Sequence, residues 1–308
     1  MRIGFVGLGQ MGKPMAMNLL KSGAELIVNA RGTASFPEFE KMGARATSES
    51  KEVARADIIF LSLPNGETVR DVLLGEEGIG YQLQRGQIVV DTSTITYAAA
   101  LEIATSLEAR GIAFLDAPIS GMEARAVNGT LTVMCGGKRE TFEAVKPYLE
   151  YIGNKIFYMG STGSGQLTKL INQLLFNINA AALAEILPMA VKMGLDAENV
   201  GEVVNSGTGK SYASEFFIPR ILEGNFSSGY PMKHSYKDLV SACEISASVC
   251  VPMPVLHAAM TTYQMALLRG HGDRDKGGTI CTFEELLGVR YRNRSVRPEP
   301  TTMESQNV

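Results

Sequence analysis

Two stretches of the 308-residue chain hold residue types whose spacing could do chemistry. RIGFVGLGQMGKPMAMNLL carries Gly7-x-Gly9-x-x-Gly12 between an apolar, strand-like run and a helical pattern. In that context Gly7 permits a tight turn, Gly9 lets backbone approach a pyrophosphate, and Gly12 lets the helix pack closely on the strand. Leu8, Gln10 and Met11 complete the turn, and the first helical N–H groups face the anion. The second stretch, GQLTKLINQ at 165–173, places Lys169 near the start of a long, mostly apolar helix. A lysine there either snorkels, with its ammonium in water, or sits in a cleft where its proton is used. As an acid, an ammonium both protonates a developing alkoxide and stabilises its charge. As a base, it must first have its pKa pulled toward neutrality by desolvation.

Other candidates are poorer. The residues closing the second strand, Val28-Asn29-Ala30-Arg31-Gly32-Thr33, contain no acid to hold a ribose 2′-hydroxyl. Arg31, helped by Asn29 and Thr33, suits a 2′-phosphate instead, so NADP is expected ahead of NAD. The competing reading makes Arg31 a solvated surface residue. His234, His257 and His271 have no acid partner at a telling spacing. Cys135, Cys243, Cys250 and Cys281 form no CxxC pair, so no metal site is expected and the cysteines read as reduced thiols. Ser120 has no evident His/Asp pair, and holding a carboxylate suits it better than nucleophilic attack. Ser211 and Tyr212 either line a pocket or cap and pack a helix.

These residues need a scaffold. At 308 residues two domains are expected, and 45% hydrophobic and 20% charged residues are ordinary for a globular protein. A net charge of −3, without a basic run, argues against nucleic acid. The most apolar stretch, 174–191, is interrupted by Asn177, Asn179 and Glu185, so no membrane span is expected and the protein reads as soluble and cytoplasmic. Strand-like runs at 2–6, 25–29, 58–63, 88–91, 113–116, 132–135 and 156–159 alternate with helical patterns at 12–22, 37–42, 67–74 and 97–110. That alternation predicts a mostly parallel sheet covered on both faces. After Gly165 helical periodicity takes over: 166–193, with Pro188 expected to kink it or mark an irregularity, then 196–206, 212–223, 232–248, 254–269 and 283–287. The division expected is a doubly wound α/β Rossmann-type domain at 1–163, an interdomain helix at 164–193, an all-helical domain at 194–289 and a loose tail at 290–308.

DAPISGMEARAVNGTLTVMCGG (116–137), GQLTKLINQ (165–173) and HSYKDL (234–239) combine with the glycine turn, in this order and spacing, to resemble the β-hydroxyacid dehydrogenase family over about 1–289. The resemblance implies a Rossmann-type domain, an all-helical domain, a long helix joining them, and an active site in the cleft between. It also implies interconversion of a small 3-hydroxy acid and its semialdehyde with a nicotinamide cofactor and no metal, in a homodimer or homotetramer. Carried over position by position, Lys169 matches the catalytic lysine, and Asn172 a substrate-binding position on the same helix face. Gln173 stands where many members have a second asparagine. Ser120 and Gly121 match the residues that hold the substrate carboxylate, and Lys237 a lysine near nicotinamide and substrate. Leu63, Pro64 and Asn65 match the loop under the adenosine side, and Ser93 and Thr94 the loop by the nicotinamide end. Met122 departs from the family's Ser-Gly-Gly and is expected to narrow the carboxylate pocket or re-aim its turn. Arg125 is a candidate grip for a second anionic group, or else a surface residue. An imine reductase on the same fold, or a dinucleotide-binding sensor without catalysis, are the competing functions; Lys169 argues against the first, and Lys169, Asn172, Ser120 and Lys237 together argue against the second.

Overall fold

The apolar runs of the first half pair into one nine-stranded sheet in the computed structural model, which describes residues 1–76 and 78–293. The strands are β1 (Arg2–Val6), β2 (Glu25–Asn29), β3 (Arg45–Thr47), β4 (Ile58–Leu61), β5 (Ile88–Asp91), β6 (Ala113–Asp116), β7 (Ile119–Ser120), β8 (Leu131–Gly137) and β9 (Gly153–Gly160). Their order is β3-β2-β1-β4-β5-β6-β8-β7, with β9 also paired to β8. From β3 to β6 every pairing is parallel, whereas β8 runs antiparallel to β6 and β7. A parallel sheet covered on both faces buries every position of its central strands, and β4 (IIFL) is buried throughout. Alternate side chains feed opposite cores. Phe5 and Phe60 stack at 6.2 Å on one face with Ile3 and Val28, while Ile27, Ile59 and Leu61 join the other.

The helices of this part are α1 (Gly12–Leu20), α2 (Phe36–Lys41), α3 (Ser50–Val53), α4 (Gly66–Leu74), α5 (Tyr97–Glu108), α6 (Glu123–Val127), α7 (Arg139–Ile152) and the start of α8 (Ser164–Lys192). Met15 and Leu19 of α1 pack with Phe142, Val145 and Leu149 of α7 on one sheet face; Val69 and Leu73 of α4 and Ile103 and Leu107 of α5 cover the other. Helix α7 is absent from the sequence expectation, although its buried Phe142, Val145, Leu149 and Ile152 recur at helical spacing. Strands β3 and β7, of three and two residues, are too short for any periodicity to announce them.

The chain divides into two compact units, Met1–Leu170 and the remainder from Ile171. In the second, the rest of α8 is followed by α9 (Ala197–Ser206), α10 (Tyr212–Glu223), α11 (Met232–Ser248), α12 (Pro254–Leu268) and α13 (Ile280–Leu287). Ala180, Ala184 and Leu187 of α8 share a core with Phe217, Ile218 and Ile221 of α10 and with Ile280. Helix α8 continues through Pro188. By length and composition alone α8 could cross a membrane, yet Leu174, Asn177, Ala181 and Leu187 along it are buried within the protein. The expected tail starts with packed residues: Tyr291 is fully buried, its hydroxyl donates to the Ala197 carbonyl at 2.7 Å, and Arg292 grips the buried Glu284 at 2.6 and 3.0 Å. From 294 onward that expectation lies outside the described residues.

Candidate active site

In the first unit the parallel strands β1, β2, β4, β5 and β6 end on one edge of the sheet, the edge where open α/β sheets bind ligands. The loops leaving those ends carry the glycine turn, Arg31 and Thr33, Leu63–Asn65, and Ser93 and Thr94, and the segment after β6 leads to Ser120 on β7. The three glycines have different reasons to be there. Gly7 has φ +98°, and a Cβ on it would meet the Ser62 carbonyl; a Cβ on Gly12 would land on the Gly7 carbonyl. Both are required by the chain's own packing. Gly9 lies outside the left-handed region and has nothing within 4 Å of where its Cβ would be. Its bareness serves no contact within the protein, and it leaves room above the first turn of α1 for an anion.

The neighbouring loops are tied to one another. Ser93 Oγ accepts from the Leu63 N–H at 2.9 Å, and Asn65 caps α4 by accepting from the Thr68 N–H at 2.8 Å. Pro64 is exposed beside it and Thr94 is half-buried. Asn29 is buried and donates to the Thr47 carbonyl at 3.0 Å. That bond ties β2 to β3, and Arg31 and Thr33 are the exposed groups of the loop.

Ser120 lies half-buried on β7, opposite Thr132 of β8. Gly121 follows at φ +140°, a conformation that favours glycine. Met122 has φ −95° and ψ 175°, ordinary extended backbone, so its side chain imposes no backbone strain. It is 43% exposed. Glu123 accepts from Gln10 Nε2 at 2.8 Å, joining this loop to the glycine turn. The exposed Arg125 guanidinium donates to the Thr130 carbonyl, 2.9 Å from Nε, and stitches its own loop.

Two buried carboxyls that the sequence reading passed over stand behind these loops. Asp91 and Asp116 are register partners at the ends of β5 and β6. Burial pushes Asp91 up to about 7 and Asp116 up to about 6, opposed by hydrogen bonds from Ser93 to the former and from Gly163 and Gln166 to the latter. Asp116 accepts from the Gly163 N–H at 2.7 Å and the Gln166 N–H at 2.9 Å, so it caps α8 from a neighbouring strand. One turn beyond Gln166, Lys169 is 8% exposed.

Asn172 and Gln173 occupy the next turn of α8, in the second unit, with Asn172 exposed and Gln173 half-buried. Lys237 is exposed on α11. Ser211 is the N-cap of α10, in a reciprocal capping box with Ser214, and Tyr212 stacks on Phe216 at 6.2 Å; the capping and packing alternative accounts for both. Among the described residues no group of three His, Cys, Asp or Glu side chains could hold a metal.

The chain matches two family models: the NAD-binding domain of 6-phosphogluconate dehydrogenase over residues 2–160, and the NAD-binding domain of NADP-dependent 3-hydroxyisobutyrate dehydrogenase over 163–281. It is 38% identical to 2-(hydroxymethyl)glutarate dehydrogenase of Eubacterium barkeri, covering 94% of this chain and 96% of that one. Human mitochondrial 3-hydroxyisobutyrate dehydrogenase is 32% identical, over 89% of this chain and 84% of its own. The crystal structure of 3-hydroxyisobutyrate dehydrogenase from Salmonella typhimurium superimposes with a TM-score of 0.81 at 28% identity, over 91% of this chain and 99% of that one. An imine reductase from Pseudomonas sp., at 18% identity and a TM-score of 0.56, shares the fold alone. With a glycine turn that fits a pyrophosphate and an α/β fold that places it at the carboxyl edge of the sheet, the chain belongs to the β-hydroxyacid dehydrogenase family and is an NAD(P)-dependent hydroxyacid dehydrogenase, an oxidoreductase acting on CH–OH.

Proposed function

We propose that the enzyme interconverts a small 3-hydroxy acid and its semialdehyde, with Lys169 as the general acid and base and NADP(H) as the preferred cofactor. The observation that carries this reading is the burial of Lys169 on a helix whose N-terminus is bonded to the end of β6. The nicotinamide supplies or accepts the hydride. In reduction, the Lys169 ammonium protonates the alkoxide oxygen; in oxidation, its neutral amine takes the hydroxyl proton. Ser120 holds the substrate carboxylate through its hydroxyl, Gly121 shapes that turn, and Met122 borders it. Asn172, Gln173 and Lys237 are assigned to the substrate, and Lys237 also to the nicotinamide, by the resemblance. The named substrates of the two curated relatives share a hydroxymethyl group on the carbon bearing a carboxylate. That unit is the substrate class proposed here.

Gly7, Leu8, Gly9, Gln10, Met11 and Gly12 form the pyrophosphate turn. Arg31 and Thr33 meet the 2′-phosphate, Leu63, Pro64 and Asn65 run under the adenosine, and Ser93 and Thr94 meet the nicotinamide end. The decisive experiment is Lys169→Ala: turnover should fall at least about 10²-fold while NADPH affinity persists. Near-normal turnover with a panel of semialdehydes would remove Lys169 from the mechanism. The protein is further read as a soluble, cytoplasmic homodimer or homotetramer. Supporting assembly, Ile171, Leu175, Ile186 and Met189 form an exposed apolar row along α8, between 54% and 60% accessible. Light scattering on Leu175→Glu, with a shift to monomer expected, tests it.

A further inference from the structure

Gln166 has no role in the chemistry above, yet its buried amide is bonded at both ends. Its Nε2 donates to the Ser93 carbonyl at 2.8 Å, and its Oε1 accepts from the Ile95 N–H at 3.1 Å. One planar amide thus completes two orphaned backbone groups of the loop that follows β5, as a neighbouring strand would. The same loop is held from its other side, where Ser93 Oγ accepts from Leu63 N–H and Ser93 N–H donates to Asp91 at 3.0 Å. The Gln166 main chain is equally fixed, since its N–H donates to Asp116 Oδ2. There is no slack around it: a Cβ on Gly165 would approach Asp116 Oδ2 to 2.8 Å, and one on Gly136 would approach Asp116 Oδ1 to 2.6 Å. Lys169 lies three residues on, one turn along the same helix.

We infer that Gln166 is a positioning residue, a rigid strut that sets the Lys169 ammonium at a fixed distance from the Ser93–Ile95 loop. The inference rests on the reading of Lys169 as the acid and base. A strut is useful because hydride and proton must reach adjacent atoms of one substrate, and a misplacement of about 1 Å costs up to about 10²-fold in rate. Removing the amide deletes no direct contact to cofactor or substrate. It frees the loop and the helix to drift apart, which lowers kcat more than it raises either KM.

Gln166→Met, close in shape but without the two bonds, should lower kcat about 10- to 100-fold with less than about 3-fold change in either KM. In a Lys169→Ala background it should lower kcat no further, because the residue acts through Lys169. Gln166→Glu is the second variant, for use if Gln166→Met folds poorly. Its ionised carboxylate can still accept from Ile95 N–H but cannot donate to the Ser93 carbonyl. Its kcat relative to wild type should therefore recover as pH is lowered and the introduced carboxyl regains a proton, a response that a purely structural role would not give. If Lys169→Ala keeps normal turnover, the mechanism itself fails. If Lys169→Ala is impaired as expected but both Gln166 variants keep wild-type kcat, the strut is refuted and the mechanism stands. The strut is equally refuted if Gln166→Met lowers kcat by the same factor with and without Lys169, or if the Gln166→Glu deficit does not change with pH.

Discussion

Gly9 and Gly12 share one motif, and the structure separates them by what a single methyl group would meet. A Cβ on Gly12 lands on the Gly7 carbonyl, backbone that cannot swing away, so Gly12→Ala must push α1 off β1. Overpacking of this kind costs about 1–3 kcal/mol, which for a unit of this size lowers Tm by roughly 3–10 °C. A Cβ on Gly9 meets nothing within 4 Å, and its backbone is not left-handed. Gly9→Ala should then stabilise the chain by about 0.4–1 kcal/mol, because the unfolded state loses conformational freedom. The cost should appear only when the cofactor binds. A methyl group where the pyrophosphate approaches displaces at least one charge-assisted hydrogen bond, worth about 1.5–3 kcal/mol, or roughly 10- to 150-fold in Kd. Thermal unfolding and NADPH fluorescence titration, run on both variants, measure the two effects separately. Normal NADPH affinity in a stable Gly9→Ala protein would refute the assignment of this turn to the pyrophosphate.

Other outcomes follow from the same structure. Asp91 is raised from 3.8 to about 7 by burial, so the fold favours its protonated form. That contribution is complete below about pH 4 and is lost as pH rises through 7. Between pH 5 and 8 it amounts to about two decades of proton affinity, on the order of 3 kcal/mol. Tm should fall over that range in the wild type and fall less in Asp91→Asn; parallel profiles would exclude Asp91 as the cause. A chain ended at Val289 strips Glu284 of Arg292 and of the Tyr291 N–H at 2.8 Å. Leaving that buried carboxylate without them costs about 3–5 kcal/mol, so Tm should drop well below that of a chain ended at Asn293, and equal values would refute the packing argument. Arg31→Ala should weaken NADPH about 10-fold and leave NADH unchanged, since a cation pairs with the 2′-phosphate alone; equal losses would make Arg31 a general surface charge.

Part of the proposed site was legible because its residues stand in local patterns. The glycine turn announces itself through spacing between a strand and a helix, while Lys169 and Asn172, which share one helix, were singled out by the family resemblance of GQLTKLINQ. Ser211 carried both its readings in the sequence, and the capping box with Ser214 decided between them. Other residues carried contacts that the sequence does not show. Asn29 and Arg125 bond the Thr47 and Thr130 carbonyls, and nothing in a linear sequence shows which donors are so engaged. Asp116 and Gln166 lay inside two of the motifs and still gave no sign of their connection. It runs over a separation of 50 residues and exists only because β6 and α8 end side by side.

The sequence by itself determined the alternation of strands and helices and the glycine turn between β1 and α1, because hydrophobic period and residue spacing act over a few residues. The tertiary structure decided which glycine of the turn has nothing packed where its Cβ would be, which carboxyls are buried, and which amide ties Ser93 to the helix of Lys169. Those are properties of close packing and desolvation, and they arise only when segments distant in the chain are brought into contact.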